Sequence, residues 1–88
     1  MSQLKGITKT GFQFEVSQDR LENYELVEAL AELDENTLAL PKVVNLLLGK
    51  QQAMKLKDHI RSKDGIVSGE KMSNEIKDIF EKQKQTKN

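Results

Sequence analysis

Asn36-Thr37-Leu38-Ala39-Leu40-Pro41-Lys42-Val43-Val44-Asn45-Leu46-Leu47-Leu48-Gly49 is the stretch on which the fold turns: a polar turn runs into a short, almost wholly apolar helix. Pro41 suits the first turn of that helix, where its missing N–H has no intrahelical partner, and Gly49 ends it. Over two turns Val43, Val44, Leu46, Leu47 and Leu48 point in nearly every direction, so most of the circumference must be dry. A helix cannot cover those side chains itself. It reads as the centre of a core, closed by the rest of the domain or by a partner.

On its N-terminal side, Phe12-Gln13-Phe14-Glu15-Val16 alternates strictly and puts Phe12, Phe14 and Val16 on one face. Leu4-Lys5-Gly6-Ile7-Thr8 supplies a second strand, and Lys9-Thr10-Gly11 the turn, with Gly11 free to reach positive φ. Two strands are not stable alone in water, so this hairpin, over 4–16, must lie on helices. Ser17 is the expected N-cap of a helix over 18–34. On its wheel Glu22, Glu25, Glu28, Glu32 and Glu35 gather on one side, while Tyr24, Leu26, Val27, Leu30, Ala31 and Leu33 fill the other.

On the C-terminal side, a helix over 50–62 carries Ala53, Leu56 and Ile60 on its inner stripe, and Asp64-Gly65 closes it. Ser68 caps a last helix over 69–82, in which Met72, Ile76, Ile79 and Phe80 follow the i, i+4, i+7, i+8 pattern. From Glu81 onward no apolar residue remains, so 81–88 reads as a frayed polar tail. The expected fold is α+β and mainly α: one domain over 1–80, with an N-terminal β-hairpin packed on a compact bundle of helices over 18–34, 41–48, 50–62 and 69–82.

At 88 residues the chain is one domain at most, and such a domain buries only about 60% of the surface its unfolded chain exposes. With no Cys, neither a disulfide framework nor a thiolate metal site supports the core, and a reducing compartment is expected. His59 is the single histidine and cannot build a metal cage, so no metal and no cofactor are expected. The N-terminus lacks the pattern of a signal peptide, and no apolar run approaches the roughly 20 residues of a membrane span. The expected location is the cytoplasm.

Catalysis fails on inventory. The acids of the first helix form a solvated row, which gives no pair of groups with separated pKa values. Ser17, Ser62, Ser68 and Ser73 lie near helix ends or in a loop without a glycine-flanked nucleophile elbow, and the five glycines are too scattered for a phosphate loop. No catalytic residue is assigned, and the protein is read as a non-enzyme.

The zero net charge conceals an asymmetry: 15–35 carries eight acids against the single Arg20, or minus seven, and the remainder plus seven. Such faces steer partners or let two copies attract each other, and they also pack within one domain. Lys55, Lys57, Arg61 and Lys63, on a helix joined through Gly49 to 41–48, suggest a helix-turn-helix over 41–62 and hence a DNA-binding regulator. Against that alternative stand the neutral charge and the acidic first helix, which DNA would repel. A protein-binding surface is the favoured reading. Its candidates are Val44, Leu47 and Leu48 on the central helix and Ile76, Ile79 and Phe80 on the last, with Glu22, Glu25, Glu28 and Glu32 as steering charges.

Lys5-Gly6-Ile7-Thr8-Lys9-Thr10-Gly11-Phe12-Gln13-Phe14, Asn23-Tyr24-Glu25-Leu26-Val27-Glu28-Ala29-Leu30-Ala31-Glu32-Leu33-Asp34-Glu35-Asn36, Leu40 to Gly49, and Asp64-Gly65-Ile66-Val67 with Met72-Ser73 together resemble a family of small proteins of tailed phages and prophages of Gram-positive bacteria. That family resembles the tail assembly chaperones. The resemblance spans Leu4 to Phe80 and rests on structural motifs. It implies a protein that binds the tape measure protein, the tail tube subunits or both during tail assembly, works in the host cytoplasm and is absent from the mature virion. It also implies that a longer form made by ribosomal frameshifting is a natural companion. A structural component retained in the virion is the remaining alternative.

Overall fold

The structure, a computed structural model, describes the backbone of residues 3–86 and the side chains of 3–82. Strands β1 (Gln3–Ile7) and β2 (Gln13–Ser17) pair antiparallel, with Leu4 opposite Val16 and Gly6 opposite Phe14. In the connection, Thr8 N–H donates to Phe12 O and Gly11 N–H to Thr8 O, both at 2.9 Å, and Gly11 takes φ 97°. That conformation is open to glycine at no steric cost. Leu4, Phe12, Phe14 and Val16 are buried on one face, as the alternation predicts. A Cβ on Gly6 would stand 3.0 Å from the Phe14 ring, so the absence of a side chain there lets the ring lie on β1.

Helix α1 (Gln18–Leu21) starts from Ser17, whose Oγ accepts from Arg20 N–H at 3.2 Å. The single helix expected over 18–34 is in fact two. It breaks at Glu22 and Asn23, and α2 (Tyr24–Glu35) restarts with Asn23 as N-cap, φ −64° and ψ 121°, its Oδ1 accepting from Glu25 N–H at 2.9 Å. Asn competes for backbone donors with its own side chain, which favours a cap over a helix interior. A 3₁₀ turn (Thr37–Ala39), capped by Asn36, leads into α3 (Leu40–Ile60).

Helix α3 is interrupted at Gly49, φ 80° and ψ 165°, so its halves match the two helices read from the sequence. A single residue makes the joint, whereas a DNA-binding helix-turn-helix uses a turn of three or four. After a loop held by Ser62 N–H to Ile66 O (2.8 Å) and Arg61 Nη1 to Gly65 O (3.1 Å), Ser68 Oγ accepts from Lys71 N–H and caps α4 (Gly69–Thr86).

Helix α4 runs to Thr86, four residues past the expected end at 82. Glu81, Lys82, Gln83, Lys84 and Gln85 are good helix formers, and Lys82 Nζ reaches back to Asp78 Oδ1 at 3.4 Å. Lys87 and Asn88 lie outside the described residues.

Helix α3 is the centre of the packing: β2, α1, α2 and α4 all contact it. Val43, Val44, Leu47, Leu48, Ala53, Leu56 and Ile60 form the middle of the core, with Leu26 and Ala29 from α2 and Met72, Ile76 and Ile79 from α4 around them. The fold is the expected α+β hairpin-and-helices arrangement.

Candidate protein-binding groove

Burial separates the proposed contact residues sharply. Val44, Leu47, Leu48, Ile76 and Ile79 are all buried in the monomer, and Phe80 is half-buried. The hairpin, α2 and α4 together cover α3, so in the monomer these five side chains belong to the core. Phe80 and Ile76 nevertheless line one groove, and Val44 lines a smaller one with Leu40, Pro41, Val67 and Met72.

The groove of Ile76 and Phe80 lies between α2 and α4. Each helix packs on α3, and the two make few contacts with each other. The space between them, about 560 Å³, is lined by Val27, Leu30, Ala31 and Leu33 of α2 and by Ile76 and Phe80 of α4. Asp34, Ser73, Lys77 and Glu81 complete its lining.

The apolar side of α2 is divided. Leu26 and Ala29 are buried and Leu30 and Leu33 half-buried, but Val27 is 53% and Tyr24 71% exposed, and Ala31 is exposed as well. At 100° per residue, Tyr24, Val27 and Ala31 form a second stripe beside the buried one. The sequence reading placed all six apolar residues on one inner face. A wheel cannot tell which part of a wide apolar face the neighbouring helix reaches.

Glu35, Glu28, Glu32 and Glu25 follow the stripe around the helix circumference, all exposed. Glu32 Oε1 lies 3.9 Å from Lys42 Nζ, and Glu22 Oε2 accepts from Gln18 Nε2 at 2.8 Å. Among the described residues Glu25, Glu28 and Glu35 have no ion-pair partner. The last turn of α2 contains no basic residue, so Glu32, Asp34 and Glu35 sit where the negative end of the helix dipole disfavours them.

A second constellation escaped the sequence reading. Glu75 is 3% exposed and Asp78 9%, both on the buried side of α4. Lys9 N–H donates to Asp78 Oδ2 at 2.7 Å, and Thr10 Oγ1 donates to Glu75 Oε2. Thr10 Oγ1 also lies 3.2 Å from Thr8 Oγ1 and 3.1 Å from His59 Nε2, each within hydrogen-bond distance. Thr8 Oγ1 in turn accepts from Phe12 N–H at 3.1 Å. The network latches the hairpin turn onto α4, and Glu75 Oε1 is left buried without a hydrogen-bond partner. Its signal was the i, i+3 placement of Glu75 and Asp78 beside Met72, Ile76 and Ile79.

A larger depression on the outer face of the hairpin is lined by polar residues such as Gln3, Gln13 and Gln52, with Lys5 and Glu15 3.9 Å apart across it. Its lining is more polar than apolar, although Ile7 and Phe14 contribute to it. Among the described residues no group of three His, Asp or Glu side chains is placed to hold a metal ion, and no helix is long and apolar enough to cross a membrane. No family model, curated protein or solved structure matches the chain.

Proposed function

We propose that the protein is a phage tail assembly chaperone, a non-catalytic protein that binds the tape measure protein, tail tube subunits or both while the tail is built. The observation that carries this reading is the α2–α4 groove: an apolar trough with an exposed apolar stripe, Tyr24, Val27 and Ala31, on one lip. A groove between two helices is a common seat for an amphipathic helix, and a long helical client presents many such segments. The motif resemblance of residues 4–80 supplies the identity of the client. On this reading the protein acts in the host cytoplasm and leaves before the virion is complete.

The test is a tagged pull-down from cells in which the parent phage or prophage is active, followed by mass spectrometry of everything retained. Recovery of a very long helical protein is the expected result. Recovery of DNA or transcription machinery would overturn the proposal in favour of the regulator, and abundance of the chain in purified particles would make it a virion component.

A further inference from the structure

We infer that the α2–α4 groove takes an amphipathic helix whose apolar face is flanked by lysine or arginine along the edge that lies over α2. The inference deepens the chaperone reading in one respect, since it rests on the groove being the client site, but its argument is independent of which protein supplies the helix.

The first step is shape. The groove is lined on α2 from Val27 to Asp34, so the trough runs for about 12 Å at 1.5 Å per residue, which seats roughly two turns of a partner helix. Val27 and Ala31 on one wall and Phe80 on the other are accessible enough to meet apolar side chains spaced i, i+3 or i+4, i+7.

The second step is charge. The α4 wall is mixed, with Lys77 beside Glu81, and selects no sign. The charged residues along the α2 wall are all acidic: Asp34 lies in the groove, and Glu28 and Glu35 stand just beyond Ala31 and Tyr24 around the helix. Asp34 and Glu35 occupy the last turn, where they oppose the dipole of their own helix. A cationic flank on the occupant offsets both the mutual repulsion and the dipole, and an acidic flank adds to them.

A second copy of this chain is the poorer occupant. Of its amphipathic helices, α4 already spends Met72, Ile76 and Ile79 on its own core, and α2 would bring a second acidic row to an acidic lip.

The experiment uses the full chain and two synthetic fluorescent peptides with the same leucine stripe, one flanked by lysines and one by glutamates. Fluorescence anisotropy at low salt should show the lysine peptide binding at least about tenfold more tightly, with the difference shrinking as ionic strength rises. Val27→Asp should abolish binding of the lysine peptide. Because that substitution adds negative charge, loss cannot come from weakened bulk attraction.

The double variant Glu28→Lys with Glu35→Lys should invert the preference, an outcome that misfolding cannot imitate. Equal affinities, an unchanged preference in the double variant, or binding unaffected by Val27→Asp would overturn the inference. So would concentration-dependent dimerisation in sedimentation that Val27→Asp removes, because the occupant would then be a second copy. If the groove fails these tests while the pull-down recovers a tail protein, only the site is wrong. If the peptides behave as expected and no tail protein is recovered, only the chaperone reading falls.

Discussion

The guanidinium of Arg20 closes over Gly49: its Nη1 donates to Leu46 O at 2.9 Å, and a Cβ on Gly49 would stand 3.0 Å from its Nη2. One side chain from a four-residue helix thus satisfies a carbonyl released at the break in α3, where a cation also complements the negative end of the dipole. Gly49 has φ 80° and ψ 165°, a region that only glycine occupies readily, at a strain of about 1–3 kcal/mol for other residues. Gly49→Ala should therefore cost about 2–3 kcal/mol, from backbone strain and the clash with Arg20 together. Arg20→Ala should cost less, about 1 kcal/mol, since the guanidinium is largely in water. Urea denaturation of both variants checks the ranking, and an Arg20→Ala variant less stable than Gly49→Ala would refute it.

Leu47 illustrates what a binding experiment on the core would actually report. It is fully buried, so Leu47→Ala should lose about 2–5 kcal/mol, a large share of the stability of an 88-residue domain. Val27→Ala, at a half-exposed position, should change stability by less than about 0.5 kcal/mol. Thermal unfolding followed by circular dichroism distinguishes them. Loss of partner binding in Leu47→Ala would then reflect unfolding, whereas loss in Val27→Ala would reflect the surface.

The hairpin, the helix over 41–48, the glycine joint and the cap at Ser68 were all legible in the sequence, because each is set by local chemistry: strict alternation, Pro41, Gly49 and a serine before an apolar-periodic run. The break at Asn23 had the same local basis, but Leu21 and Tyr24 on either side blur the helical pattern. What pattern could not reach is long-range. Whether Leu48 or Val27 faces water depends on where α4 comes to rest, and Thr10 and Glu75 meet across 65 positions of chain. The abundance of leucine in 43–48 suggested surplus apolar surface, but a helix wrapped on several sides by its own domain consumes most of it, and only Leu46 among these leucines is left half-buried.

The latch makes an asymmetric prediction. Thr10→Val removes the donor to Glu75 Oε2 and leaves a buried carboxylate with neither oxygen paired to the hairpin, which should cost about 2–3 kcal/mol. Replacing both partners by apolar groups should recover much of that loss, because the unsatisfied oxygens are gone. A double-mutant cycle of Thr10→Val and Glu75→Met, read by urea denaturation, is expected to show a double variant more stable than Thr10→Val alone. If the losses simply add, Thr10 and Glu75 are not energetically coupled, and the hairpin is held by its buried face and by the Lys9–Asp78 bond.

The acids at the end of α2 predict a conflict between stability and binding. Glu35 is exposed, has no ion-pair partner among the described residues, and lies in a last turn without a base. Glu35→Lys exchanges an unfavourable dipole interaction for a favourable one and reduces repulsion with Glu32 and Asp34. Together these are worth about 1 kcal/mol at low salt. For a domain of this size that raises Tm by about 4–8 °C, and the gain should shrink at high ionic strength as the charges are screened. The same substitution weakens the acidic lip of the groove, so the lysine-flanked peptide should bind less tightly to the more stable protein. Scanning calorimetry and anisotropy on one sample test the two halves together. A variant that becomes more stable and binds unchanged would mean that the acids of α2 serve solubility rather than recognition.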